Sequence, residues 1–260
     1  MPLAEHFVAL GYSVKGSTRS LSDIAKLESR GIDPYILILD PELRGEKTDE
    51  FFDSHILIIN FPPERREDIV QYHELQALSL INHIKHSQIK KVIFVSSTSV
   101  YPDLNREVRE DDARSPSKSS GKALLNFEKL LIECSKFSTT VIRFAGLIGY
   151  DRRPGRFLSG KKQVINGDAP VNLIHRDDCI NIISELIKNN LWGKVYNACS
   201  DLHPKRADYY IRAAEILGIS PPEFVESEDF NFKIINSDKL KKDLNYTFLY
   251  PDPSAILESK

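Results

Sequence analysis

The chain alternates short apolar runs with amphipathic stretches. Runs rich in β-branched and aromatic residues predict strands over residues 12–16, 35–39, 55–60, 91–97, 139–146 and 195–199. Two runs, Ile56-Leu57-Ile58-Ile59 and Val92-Ile93-Phe94-Val95, are continuous rather than alternating. Continuous apolarity means burial on both faces, the habit of parallel strands covered by helices. Helical periodicity fills the intervals at 21–30, 64–86, 122–136, 178–190 and 206–217. Ser20 stands as N-cap of the first helix and Gly31 as its stop. Leu75, Leu78, Ile81 and Ile84 predict one apolar stripe on the second; Leu124, Leu125, Phe127, Leu130 and Leu131 carry the third. This alternation predicts an α/β fold, a Rossmann-like doubly wound parallel sheet over 1–150, with Val14, Ile58, Phe94 and Ile142 side by side in it. Residues 151–260 predict a smaller α+β lobe, interleaved with the last strands and irregular at 150–172 and after Gly218.

Composition narrows the class. With 260 residues, 41% hydrophobic and 28% charged, the chain is long enough for a sizeable core. No apolar run approaches the roughly 20 residues of a membrane helix. The balance of 35 Lys+Arg against 37 Asp+Glu argues against a nucleic-acid binder. Cys134, Cys179 and Cys199 are odd in number and far apart, which excludes a zinc knuckle or redox dithiol. Without a secretory signal at the start, a reducing, cytoplasmic location is expected. Asn245-Tyr246-Thr247 reads as a chance sequon. His73, His83 and His86 lack carboxylate or Cys companions at ligand spacing, so surface histidines are expected there and no metal site.

Five segments then speak together: 11–20 (GYSVKGSTRS), 92–101 (VIFVSSTSVY), 141–149 (VIRFAGLIG), 172–178 (NLIHRDD) and 195–200 (VYNACS). In order and spacing they resemble the extended, atypical branch of the short-chain dehydrogenase/reductase superfamily, the NAD-dependent epimerase/dehydratase-like proteins. Lys239-Leu240 and Tyr250-Pro251-Asp252 resemble that family's C-terminal lobe.

The resemblance implies an NAD(P)-binding oxidoreductase that transfers hydride on a small polar or nucleotide-linked sugar. Ser97 falls at the family's catalytic Ser/Thr. Asn60, Pro62, Ser96, Phe144, Ala145 and Gly146 would line the cofactor, and Thr98, Arg152, Arg153 and His175 the substrate. The second strand of a dinucleotide fold and the turn after it set cofactor choice, and a fold using NAD places an acid there on the ribose 2′-hydroxyl. Here Ser17, Thr18 and Arg19 stand instead, a donor set suited to a 2′-phosphate, so NADP is expected over NAD. A homodimer through 64–86 and 122–136 is a further implication of the family.

Two departures matter. The family's Tyr-x-x-x-Lys helix here reads Ser115-Pro116-Ser117-Lys118-Ser119-Ser120-Gly121-Lys122-Ala123-Leu124. One alignment puts Ser120 and Leu124 at the Tyr and Lys positions; another puts Lys118 and Lys122 there. A serine is a far weaker acid than a phenol of pKa about 10. Ser120 and Lys122 are therefore the only candidates for the relay, and a non-catalytic dinucleotide sensor or interaction protein is the alternative function. The second departure is the opening. Residues 2–11 already resemble the family's first helix and its stop, so the chain reads as truncated before helix 1. Strand one and the glycine-rich turn are missing, and a cofactor-free descendant is a further reading.

Other signals have plainer readings. Residues 155–162 (GRFLSGKK) imitate a phosphate loop but end in Lys162 rather than Ser/Thr. The cations Arg152, Arg153, Arg156, Lys161 and Lys162 suit either an anionic ligand or a solvated loop. Asp177 or Asp178 is expected as an N-cap, and Asn197-Ala198-Cys199-Ser200 as packing.

Overall fold

The structure is a computed structural model that describes residues 1–226 and 231–258. In chain order the elements open with α1 (Pro2–Ala9), β1 (Val14–Thr18), α2 (Ile24–Glu28), β2 (Ile32–Ile36), β3 (Ile38–Asp40), β4 (Glu42–Arg44), α3 (Thr48–Phe52) and β5 (Ile56–Ile59). They continue with α4 (Ile69–Lys85), β6 (Lys91–Ser97), β7 (Arg106–Val108), α5 (Ser119–Glu133), β8 (Ser138–Phe144) and β9 (Gly146–Ile148). The remainder are α6 (Gly155–Leu158), β10 (Leu173–His175), α7 (Arg176–Lys188), β11 (Val195–Ala198), α8 (Arg206–Ile216), β12 (Lys233–Ile235) and α9 (Asp238–Leu244). Two compact units interleave in sequence, residues 1–96, 118–141 and 183–194 in the first and 97–117, 142–182 and 195–260 in the second. The central sheet is four-stranded and parallel in the order β11-β8-β6-β5.

In the first unit, α1 ends as its sequence dictates. Gly11 takes the left-handed conformation (φ 84°), its amide bonds Val8 and that of Tyr12 bonds Phe7, so the last carbonyls are satisfied. That turn uses Tyr12 and starts β1 two residues later than expected. β1 pairs in parallel with β2, Val14 opposite Ile32 and Thr18 opposite Ile36. β5 pairs in parallel with β6, Ile56 opposite Lys91 and Ile59 opposite Phe94. Ile58, Phe94 and Ile142 thus share the central sheet, but Val14 does not: β1 and β2 form a separate two-stranded sheet. Among the described residues each of β1 and β5 has one strand neighbour only, and no shifted strand closes the interval. An unpaired backbone group costs about 1–3 kcal/mol only when buried dry. Ile56, Leu57 and Ile58 are half-buried despite their apolar run, so water reaches that edge and offsets the loss. The Lys15 ammonium on β1 bonds the carbonyls of Asp53 (2.7 Å) and Glu50, at the end of α3.

The stripe expected on α4 is wrong in half its members. Ile81 and Ile84 are buried, but Leu75 and Leu78 are 45% and 46% exposed. Residues three apart on a helix of about 3.6 residues per turn drift some 60° at each step, so such a series leaves its own face. The buried face runs instead through Ile69, Tyr72, His73, Gln76, Ala77, Leu80, Ile81 and Ile84. Ile69 and Tyr72 pack on Ala123 of α5. The expectation of a surface histidine fails for His73, which is fully buried. His83 stacks on Phe52, and His86 is exposed. The helix begins at Ile69 rather than at 64.

In the second unit, the strand expected over 139–146 breaks at Ala145. β8 ends at Phe144, and β9 leaves to pair with β10, Gly146 opposite Leu173 and Ile148 opposite His175. Ile148, Val171, Leu173 and Tyr209 form a core beside it. β7 and β12 make another parallel pair. The phosphate-loop imitation is a single turn of helix, α6, whose Gly155 lies so close to the Ala213 carbonyl of α8 that a Cβ would collide. Asn245 of the sequon closes α9 in the left-handed conformation. Residues 227–230 of the irregular stretch expected after Gly218 lie outside the described residues. Among the described residues no helix is long and apolar enough to cross a membrane.

Candidate functional site

Parallel sheets present ligand-binding groups at the carboxyl ends of their strands. In the first unit β1 ends at Thr18. Ser17 and Arg19 are exposed there, the Arg19 side chain by 77%, and its one ion pair, to Glu64, is long at 3.7 Å. The Thr18 hydroxyl donates to Asp23 (3.0 Å) and accepts from the Ser20 amide (3.2 Å), so it serves the turn itself. Asp23 is an acid the sequence reading missed. It stands five residues beyond the strand and a 3-10 turn capped by Ser20 folds it back. Asn60 and Pro62 are exposed beyond β5, while Phe61 packs edge-on against His73 and Phe127.

Ser96, expected on the cofactor, is turned elsewhere. Its buried hydroxyl donates to Glu128 Oε1 of α5 at 2.5 Å. On α5, Ser120 is half-buried in the first turn and Lys122 is exposed. Leu124, at the family's Lys position, is buried. The helix carries no tyrosine.

In the second unit Ser97 closes β6 in extended conformation, and its Oγ accepts from the Ser99 amide at 3.2 Å, capping the 3-10 turn Thr98–Val100. An acceptor role leaves the hydroxyl proton free to donate. Thr98 is buried. Next to this turn lies a network absent from the sequence reading. Arg143 donates to the Tyr101 hydroxyl (2.7 Å) and to the Glu110 carbonyl (2.8 Å), and Tyr101 donates to Asn197 Oδ1 at 2.6 Å. Asn197 also donates its amide N–H to Glu110 Oε1 at 2.9 Å. Burial pushes the Tyr101 phenol up to about 12 against the opposing pull of Arg143, which makes it a fixed donor rather than a relay.

Phe144 and Ala145 are buried and Gly146 is exposed. Arg152, Arg153, Arg156 and Lys161 are exposed, and Lys162 is paired with Glu223. The same unit holds His175, expected on the substrate. It is buried, its Nδ1 accepts from the Asp177 amide (3.3 Å), and its ring packs on Tyr250 at 3.9 Å. Burial lowers its pKa. Gly149, at φ 108°, leaves room for that imidazole; a Cβ there would collide with it. The N-cap expected of Asp177 or Asp178 is a correction: α7 begins at Arg176, so both lie inside it; Asp177 accepts from the Tyr150 hydroxyl (2.9 Å), and the buried Asp178 carboxylate accepts from the Tyr246 hydroxyl (2.8 Å) and the amides of Leu249 (2.8 Å) and Tyr250 (3.2 Å). Cys199 and Ser200 pack against Ser237 and Tyr250.

A parallel central sheet flanked by helices, with Ser97 ending one of its strands, is the fold of the NAD-dependent epimerases and of the short-chain dehydrogenase/reductase superfamily. Among solved structures, UDP-glucuronic acid 4-epimerase from Bacillus cereus in complex with NAD superposes with a TM-score of 0.80 at 18% identity, over 100% of this chain and 92% of that one. A conserved protein of unknown function from Silicibacter pomeroyi gives 0.75 at 21%, over 99% and 92%. Within this fold the chain belongs to the family of Protein YeeZ of Escherichia coli (strain K12). It is 35% identical to that protein over 259 residues, 98% of this chain and 94% of the relative. No family model matches the chain.

Proposed function

We propose that this chain binds NAD(P) and acts as an epimerase/dehydratase-like oxidoreductase on a small polar or nucleotide-linked sugar. The observation that carries this reading is Ser97. It ends β6 with its hydroxyl held by the Ser99 amide and its proton available to a substrate oxygen. The exposed Arg19 and Ser17, with Asp23 already engaged by Thr18, support NADP over NAD. This donor set fits the phosphate-bearing adenosine end of the cofactor. Among the described residues no G-x-G-x-x-G turn stands ready for the diphosphate, so the diphosphate has no assigned holder. Bound NADP would accept the hydride from a substrate carbinol carbon and, in an epimerisation, return it. The exposed Arg152, Arg153, Arg156 and Lys161 suit the phosphates of a nucleotide-linked substrate.

A second reading is favoured by α5. With Leu124 buried where the Lys belongs and no tyrosine on the helix, a dinucleotide sensor without proton transfer accounts for the same residues. Turnover separates the two. Incubation with NADP and a panel of sugar nucleotides is expected to yield an epimer or reduced cofactor. Ser97→Ala should lower that rate about 10²–10⁴-fold, the range for a lost proton-transfer contact. Cofactor binding with no product across the panel selects the sensor.

The exposed Leu75 and Leu78 on α4 support a homodimer through α4 and α5. Light scattering should give twice the chain mass, and Leu75→Glu with Leu78→Glu should halve it; a wild-type monomer rejects the pairing. The residues support a cytoplasmic site of action through their free thiols.

A further inference from the structure

At the amino ends of β6 and β8 lies a cavity of about 420 Å³, wholly within the first unit. Lys90 precedes β6, Ser135 and Lys136 form the turn after α5, and Ser138 opens β8. The Ser138 amide donates to the Lys90 carbonyl at 2.9 Å, which holds the two strand starts together. Ile132, half-exposed, and Phe137, buried, form an apolar wall.

The chemistry of this lining is one-sided. No carboxylate is part of it; the adjacent Glu133 stands outside. The neighbouring cations are already engaged, Lys91 with Asn190 and the Trp192 ring, Lys188 with Glu185. Lys90 and Lys136 have no ion pair among the described residues, and the hydroxyls of Ser135 and Ser138 make no hydrogen bond there. Two lysines and two serines thus line one cavity, Lys90, Ser135 and Lys136 at its exposed rim, and no carboxylate is among the lining residues. Like charges gathered without a partner make a local positive potential that an anion relieves. The volume falls in the range of small-molecule sites. A phosphate monoester answers both parts, its oxygens to the donors and its organic group to the wall.

We propose that this cavity binds a small organic phosphate, at a site separate from Ser97. Ser97 closes β6 at its carboxyl end, whereas Lys90 stands before its amino end. Dinucleotide chemistry belongs to the carboxyl ends, so a ligand here is a second ligand, independent of the cofactor reading.

The test is an NMR titration of the full chain with phenyl phosphate and, in parallel, inorganic phosphate. Phenyl phosphate should shift the backbone amides of Ser135, Lys136, Ser138 and Gly193 saturably, and bind about fivefold or more tightly than inorganic phosphate. Lys90→Ser with Lys136→Ser should weaken it about tenfold or more, a factor that 1.4 kcal/mol represents. Lys129→Ser, an exposed lysine of α5 outside the cavity, should leave it unchanged. These are surface positions, and unchanged thermal midpoints verify the fold. Absence of saturable shifts at these amides, equal affinity of the double variant, or equal affinity for the two probes overturns the proposal.

Discussion

Buried imidazoles give this protein its sharpest pH signature. His73, His175 and His203 each have a pKa lowered from the ordinary 6.5, with burial the leading cause. His73 Nδ1 is bonded to Gln76 at 2.8 Å, and its Nε2 has no partner beside the Phe127 ring. His175 Nδ1 accepts an amide hydrogen, which fixes the neutral form. The sign follows directly. The unfolded chain binds protons below 6.5 that the folded chain refuses, so the stability tied to neutral imidazole is full above 6.5 and lost as pH falls below it. Urea midpoints should therefore drop between pH about 7 and 5, and His73→Gln or His175→Gln should flatten that slope. A slope unchanged by either variant would show that carboxylates carry the acid sensitivity. At this scale the sequence was legible where a residue's role is local, as for Ser20 capping, Gly11 and Gly31 stopping helices, and Ser97 ending a strand. It was silent where a role needs a distant partner. Asp178 looks like an N-cap because it stands at a helix start, yet its partners lie some 70 positions away at Tyr246 to Tyr250.

At the scale of elements, continuous apolar runs located β5 and β6 closely, because burial on two faces leaves a strong signal. β8 was misjudged at its end because apolarity continues through Ala145 while the strand changes partner, and no composition records that exchange. The hairpin of β3 and β4 and the pairs β7–β12 and β9–β10 went unread; each strand has three residues, too few for a period. The edges of β1 and β5 make a measurable difference between strands. Amides on an unpaired, hydrated edge exchange by small local openings, whereas those of a central strand need larger ones. Hydrogen exchange should show Phe94 and Ile142 protected at least about 10²-fold more than the edge-facing amides of β1 and β5. Uniform protection across β1, β5, β6 and β8 would mean that the sheet is continuous.

For the whole molecule, the ordered set of five segments carried the fold. Three of them supply β6, β8 and β11 of the central sheet, while the segments of β1 and β10 lie in two-stranded sheets of their own. The relay was legible in a negative sense, since α5 has no tyrosine and carries Leu124 at the family's Lys position. The Arg143–Tyr101–Asn197 network was not, because its members come from three elements and each alone reads as core. What joins these scales is the claim that the β1 turn grips a 2′-phosphate. The most direct measurement is a fluorescence titration of the chain with NADPH and NADH, repeated with Arg19→Ala. Saturable binding, about tenfold or more in favour of NADPH, with that preference removed by the substitution, is the expected result. Absence of saturable binding to both cofactors, or a preference for NADH that Arg19→Ala leaves untouched, would contradict it.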